Sequence, residues 1–287
     1  MKDTAKLFAW FLAVLVLAGL ATPPIYQWAH ASVPALAKYG FDNFLHRILL
    51  ICALILAWPL ARSLRLRSRA NLHLDHNRRA LRDVALGFFF AVIPLVITAA
   101  ILLATHAFVF RAPPPWSKLG TLLLTAAAVS LLEEVLFRGV ILAIFLRHFR
   151  NVTAAILTSF IFAAVHFLKT PDRADLVVTW ASGLRELAAA FAQFADPILL
   201  LAAFATLFMV GLILADARIR TRSLWLSIGL HGGWILASGA FSKFTQRTVV
   251  MMPWMGGNLL VGIIALAVGL LTWLGLVWWL RHAERAV

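Results

Sequence analysis

Cysteine is almost missing: Cys52 is the single one in 287 residues, which excludes an internal disulfide and any multi-cysteine metal site. It lies inside an apolar run, the place of a small hydrophobe in a membrane helix and not of a nucleophile. Charge is also scarce. Only 13% of residues are charged, and the 12 Asp and Glu are outnumbered by 26 Lys and Arg. Several chemical signatures are absent as well. There is no HExxH for a zincin, no GxSxG elbow for a serine hydrolase and no glycine-rich phosphate loop before a lysine. No internal duplication suggests an inverted-repeat transporter, and no segment is of low complexity.

What fills the chain instead is apolar. Hydrophobic residues make up 62% of it, with 11 Trp and 21 Phe, and the mean hydropathy is +0.90. A water-soluble domain of this length needs no such excess, so lipid is the expected solvent. Runs long enough to span a bilayer lie at about 7–29, 44–60, 84–109, 119–146, 152–168, 197–217, 223–242 and 257–280. The expectation is therefore all-α: a polytopic bundle of about eight transmembrane helices forming one membrane domain over 1–287. Pro23 and Pro24 interrupt the first run without excluding helix, because neighbours in a bundle satisfy freed carbonyls. No convincing small-residue cleavage site follows that run closely, so it reads as a retained helix and not a signal peptide. Within 169–196 the stretch ELAAAFAQF reads as an interfacial or re-entrant helix.

Basic residues sort by side. Lys2, Lys6, seven arginines between 62 and 82, and Arg147, Arg150, Arg218, Arg220, Arg222, Arg281 and Arg285 fall at one set of span ends. Lys38, Arg47, Arg111, Lys118, Lys169, Arg173, Arg185, Lys243 and Arg247 fall at the other. The positive-inside rule then puts both termini and the arginine-rich 61–82 loop in the cytoplasm. The formal charge of +14 is thereby assigned to topology and to anionic membrane lipid, not to nucleic acid. Such a bias suits a bacterial inner membrane.

One cation is out of place. Arg138 lies in the middle of the fourth run, with Glu133 and Glu134, in LLEEVLFRG. Ionisable groups at that depth cost several kcal/mol each and are tolerated where they find partners or water. Glu134 and Arg138 are four apart, hence on one face and able to pair, while Glu133 points about 100 degrees away toward another partner. Two histidines are also intramembrane, His166 near the end of the fifth run and His231 within the seventh. Either alone reads equally well as a packed histidine bonded to a carbonyl. Together with two carboxylates they form a set that activates water, with or without a metal, or relays protons. Ser130 and Ser159 read as hydroxyls bonded to the preceding helical turn. Trp234 walls a cavity or packs, and Gly232 and Gly233 allow close helix approach.

These residues resemble the motifs of the CAAX prenyl endopeptidase and bacteriocin-processing family of glutamic-type intramembrane proteases. Glu133 to Arg138 is similar to its EExxxR motif, and Phe162 to His166 to its FxxxH motif. Ser223, Leu224, Trp225 and Ile228 leading to His231-Gly232-Gly233-Trp234 resemble its third stretch. The resemblance covers about 119–242 as a catalytic core. It implies an endopeptidase hydrolysing a peptide bond of a membrane-associated, in some cases lipidated, peptide or protein. Glu133 would be the general base on water, assisted by His166. Glu134 and Arg138 would hold the site, and His231 would stabilise the oxyanion. The resemblance settles no cofactor, and a divalent metal such as zinc remains open, since two histidines and two glutamates are able to ligate it. One position departs from the prenyl endopeptidase pattern. Four residues after the last histidine, where that pattern has an asparagine donor, this chain has Ile235. The alternatives are a catalytically inactive relative that binds or escorts membrane proteins, and a proton-coupled transporter.

Overall fold

A computed structural model describes residues 2–64, 79–167 and 177–283. Each of the eight apolar runs carries helix. In chain order these are α1 (Lys2–Ser32), α2 (Phe41–Ser63), α3 (Ala80–Ala104), then α4 (Leu119–Glu134) running through a π-turn (Val135–Ile141) into α5 (Leu142–Leu146), and α6 (Asn151–Phe167). After these come α7 (Ser182–Ala190), α8 (Pro197–Leu199) leading by a second π-turn (Leu200–Phe204) into α9 (Ala205–Thr221), α10 (Trp225–Phe244) and α11 (Ile263–Ala283). Pro23 and Pro24 both lie inside α1. ELAAAFAQF is divided between α7 and a 3-10 turn over Phe191–Ala195.

Among the described residues five helices are long and apolar enough to cross a membrane: Ala5–Ser32, Phe41–Ser63, Ala80–Ala104, Leu200–Thr221 and Ile263–His282. α6 is apolar but shorter. The run 119–146 is broken by its π-turn, and α10 carries glycines, serines and a histidine in place of a uniform apolar surface. The helices that bear the unusual residues are thus the least lipid-like ones. Arg65, Arg67, Arg69 and Arg78 of the arginine-rich loop, with Lys169, Arg173 and Arg285, lie outside the described residues.

The all-α expectation needs one correction. The third run was expected to stay helical to 109, but α3 stops at Ala104 and His106 takes a left-handed φ of 55°. Phe108–Phe110, an aromatic and β-branched triplet suited to extended backbone, then pairs antiparallel with Thr245–Arg247. These strands, β1 and β2, form a two-stranded ladder at the C-terminal end of α10.

The chain divides into two compact units. The first, over 1–67 and 165–196, holds α1, α2 and α7. Gly183 of α7 meets α1 so closely that a Cβ there would overlap the Gly19 carbonyl. Cys52 is half-buried against the cluster of Ala18, Ala29, Phe44 and Ile48, as a small hydrophobe would be.

The second unit, over 68–164 and 197–287, is organised around α10, which packs on α3, α4 and α9. Apolar burial does not drive helices together in lipid, so close packing at small residues must. A Cβ on Gly87 would overlap the Leu226 carbonyl, and one on Gly229 would overlap that of Val84. One on Gly233 would lie 2.8 Å from both the Ala91 side chain and the Phe88 carbonyl. The first half of α10 is consequently buried from Leu226 to Trp234 without a break.

Candidate active site

Glu134 ends α4, and the π-turn that begins at the next residue carries Arg138. A π-turn widens the helix by one residue, and such turns gather at functional sites because they re-aim side chains. Glu134 and Arg138 are both fully buried, and Arg138 Nη1 donates to Glu134 Oε1 at 2.9 Å. The pairing follows from their four-residue spacing. Arg138 Nη2 donates at 3.2 Å to the carbonyl of Gly211 on α9. Gly211 makes this approach possible, since a Cβ there would sit 2.9 Å from the Cβ of Ser159 on α6. The guanidinium lies over the Phe162 ring, with Cζ 4.4 Å from its centroid and 5.8 Å from that of Phe137. A desolvated arginine is thus held by one carboxylate, one carbonyl and two aromatic rings.

His231 enters from α10. Its Nδ1 lies 2.9 Å from the same Glu134 Oε1 that Arg138 holds. Because the guanidinium fixes that oxygen as an acceptor, Nδ1 must carry a proton. The opposite nitrogen, Nε2, stands 3.7 Å from Glu133 Oε2, beyond direct hydrogen-bond length. The Phe162 ring meets the imidazole edge-on, at 5.8 Å between centroids. Glu133 and His231 keep a little access, with side chains 12% and 7% exposed. Glu134 Oε2 is buried and has no hydrogen-bond partner among the described residues.

The five residues singled out from sequence are placed as follows. Glu133, Glu134, Arg138 and His231 converge. Helical spacing sends the two carboxylates apart, yet both approach one imidazole, Glu134 Oε1 2.9 Å from Nδ1 and Glu133 Oε2 3.7 Å from Nε2. His166 occupies the last turn of α6, half-buried and one turn beyond Phe162 on the same helix face. Ser130 and Ser159 bond the preceding turn, at 3.2 Å to Ala127 and 2.7 Å to Ala155, as hydroxyls in membrane helices do. Trp234 is buried and lines a small pocket together with Met209, Val210, Leu260 and Val268. Ile235 is half-buried, one turn after His231.

Sequence reasoning assigned no task to Phe162, although it opens the second motif, nor to the Gly211 carbonyl, which leaves no sequence signal. It also placed Arg218 at a span end among solvated arginines. Arg218 is in fact buried, 4% exposed near the end of α9.

Residues 115–237 match the family of type II CAAX prenyl endopeptidases described as Rce1-like. Over these residues the chain is similar to that family. Comparisons with curated proteins and with solved structures gave no match. The Rce1-like match encloses α4, the π-turn, α6, α9 and the buried half of α10, and so contains every group described above. It leaves out α1, α2, α3 and α11.

The donors fit a divalent cation poorly. Among the described residues no three His, Cys, Asp or Glu side chains come together as a ligand set. Glu134 Oε1 is already shared by the guanidinium and Nδ1.

Proposed function

We propose that this protein is an integral membrane endopeptidase that hydrolyses a peptide bond of a membrane-associated protein or peptide, lipidated ones included. What carries the reading is the relay from Arg138 through Glu134 to His231 Nδ1, which turns His231 Nε2 toward Glu133. A buried ion pair costs desolvation and is weak grounds for stability alone. Its use here is to hold one imidazole in one orientation.

In the proposed reaction Glu133 takes a proton from a water as the water oxygen bonds to the scissile carbonyl carbon. His231, in its doubly protonated form with Nδ1–H given to Glu134, donates Nε2–H to the resulting oxyanion. Collapse of the tetrahedral species breaks the C–N bond, and the proton held on Glu133 passes to the leaving amine. His166 assists Glu133 in positioning the water. The site lies within an eight-span bundle whose termini and arginine-rich loop face the cytoplasm, in a bacterial inner membrane. No step passes through a metal.

The test is time-resolved mass spectrometry of a peptide and lipopeptide library incubated with the protein in lipid vesicles, beside Glu133→Gln and a chelator-treated sample. The expected result is products in the untreated and chelated samples, and a rate lowered by about 10²–10⁴ in Glu133→Gln. Products that persist unchanged in Glu133→Gln would overturn the assignment.

A further inference from the structure

The second half of α10 borders a cavity that the proposed reaction does not use. It measures about 400 Å³, within the range of ligand sites. Val92, Leu95, Val96, Ala99 and Leu103 of α3 form one wall, and Leu236, Ala237, Ala240, Phe241 and Phe244 of α10 form the other. The cavity exists because α10 presents alanines here where large residues would close the gap. Its lining is apolar apart from Thr245, and Thr245 is already satisfied. The threonine Oγ1 donates to the Phe241 carbonyl at 2.7 Å, and its own carbonyl accepts from Arg111 Nε at 2.9 Å. Nothing in the groove calls for a polar ligand.

One end is different. Phe110, Leu119, Phe244 and Thr245 close it, and three exposed cations adjoin these residues in the chain: Arg111, Lys118 and Lys243. Arg111 is fixed there by two bonds, its backbone N–H to the Phe244 carbonyl at 2.8 Å and its Nε to Thr245. From Leu103 back to Val92 the α3 wall extends about 16 Å, close to the depth of one leaflet's hydrocarbon. An apolar slot one leaflet deep with cations at its mouth has the charge and shape of a single phospholipid tail beneath an anionic headgroup. We infer that this groove binds an anionic glycerophospholipid of the bilayer, one acyl chain lying between α3 and α10 and the phosphate held at Arg111, Lys118 and Lys243.

The test uses the full chain in nanodiscs, with phosphatidylglycerol or phosphatidylcholine carrying the same diazirine-labelled acyl chain, and maps the crosslinks by peptide mass spectrometry. Phosphatidylglycerol is expected to label 92–103 and 236–244 several-fold more than phosphatidylcholine. Each of Arg111→Ala, Lys118→Ala and Lys243→Ala should lower that preference by about fivefold or less, and Ala240→Phe should remove labelling by both lipids. Equal labelling of the unaltered protein by the two lipids would overturn the headgroup assignment without reference to any variant. Labelling displaced by a lipidated peptide but not by unlabelled phosphatidylglycerol would overturn the phospholipid and give the groove to a substrate's lipid. Because crosslinking needs no turnover, loss of the peptidase reading leaves this result standing.

Discussion

The two halves of α10 share a helix and a partner, α3, but differ in what they enclose. From Leu226 to Trp234 every residue is buried, glycines at 229 and 233 bring the backbones together, and His231 meets its carboxylates in a packed interior. From Ile235 to Phe244 only Ser238 and Phe241 are buried, and alanines stand beside an open apolar groove. Small residues therefore have opposite consequences within five turns. Where a backbone faces glycine the helices touch and exclude lipid, and where side chains face alanine they stay apart and leave a slot. An ionised cluster needs the first arrangement, because only a packed protein interior fixes the partners that offset its desolvation.

Breaking the ionic half should have the largest effect. Arg138→Leu leaves the Glu134 carboxylate buried without its cation and is expected to cost about 3–5 kcal/mol, read by thermal unfolding in detergent micelles. Adding Glu134→Gln to it should restore part of the loss, and no recovery in the double variant would mean that Arg138 acts mainly through the Phe162 ring and Gly211. Next comes the close crossing itself. Gly229→Ala drives a methyl into the Val84 carbonyl, and about 1–3 kcal/mol of destabilisation is expected.

A smaller effect sharpens the chemistry at the boundary between the halves. Ile235→Asn puts an amide donor one turn from His231, and kcat for a cleaved peptide is expected to rise about tenfold, short of the 10²–10³ that losing such a donor costs elsewhere. An unchanged rate would mean that the oxyanion is served without that position. The smallest effect belongs to the loose half. A Cβ on Gly239 meets only the Leu122 side chain, at 2.6 Å from its flexible end, so Gly239→Ala should change stability by less than about 1 kcal/mol, with the helix-propensity gain offsetting the contact. If Gly239→Ala proved as costly as Gly229→Ala, the contrast between the two halves would fail.

Much of this was open to sequence reasoning because bilayers impose simple rules. Eight helical segments follow from apolar length, and the Glu134–Arg138 pair follows from a four-residue spacing with no water to compete. The intramembrane histidine and glutamates stood out by cost alone, and the motif order led to the family whose match spans 115–237. The ladder of β1 and β2 was not legible, because three-residue strands far apart in the chain carry no periodicity. Nor was the burial of Arg218, since a cation near a span end normally reaches solvent.

By itself the sequence determined where lipid is the solvent, which residues cannot face it, and that Glu134 and Arg138 would neutralise one another. Only the tertiary structure decided that both carboxylates meet opposite nitrogens of one imidazole, that Gly211 offers a carbonyl to the guanidinium, and that one helix is sealed along half its length and grooved along the other. Spacing along a chain sets which face a side chain occupies. Which neighbour it meets there depends on how closely two backbones approach, and that distance is fixed by glycine and alanine contacts between helices remote in sequence.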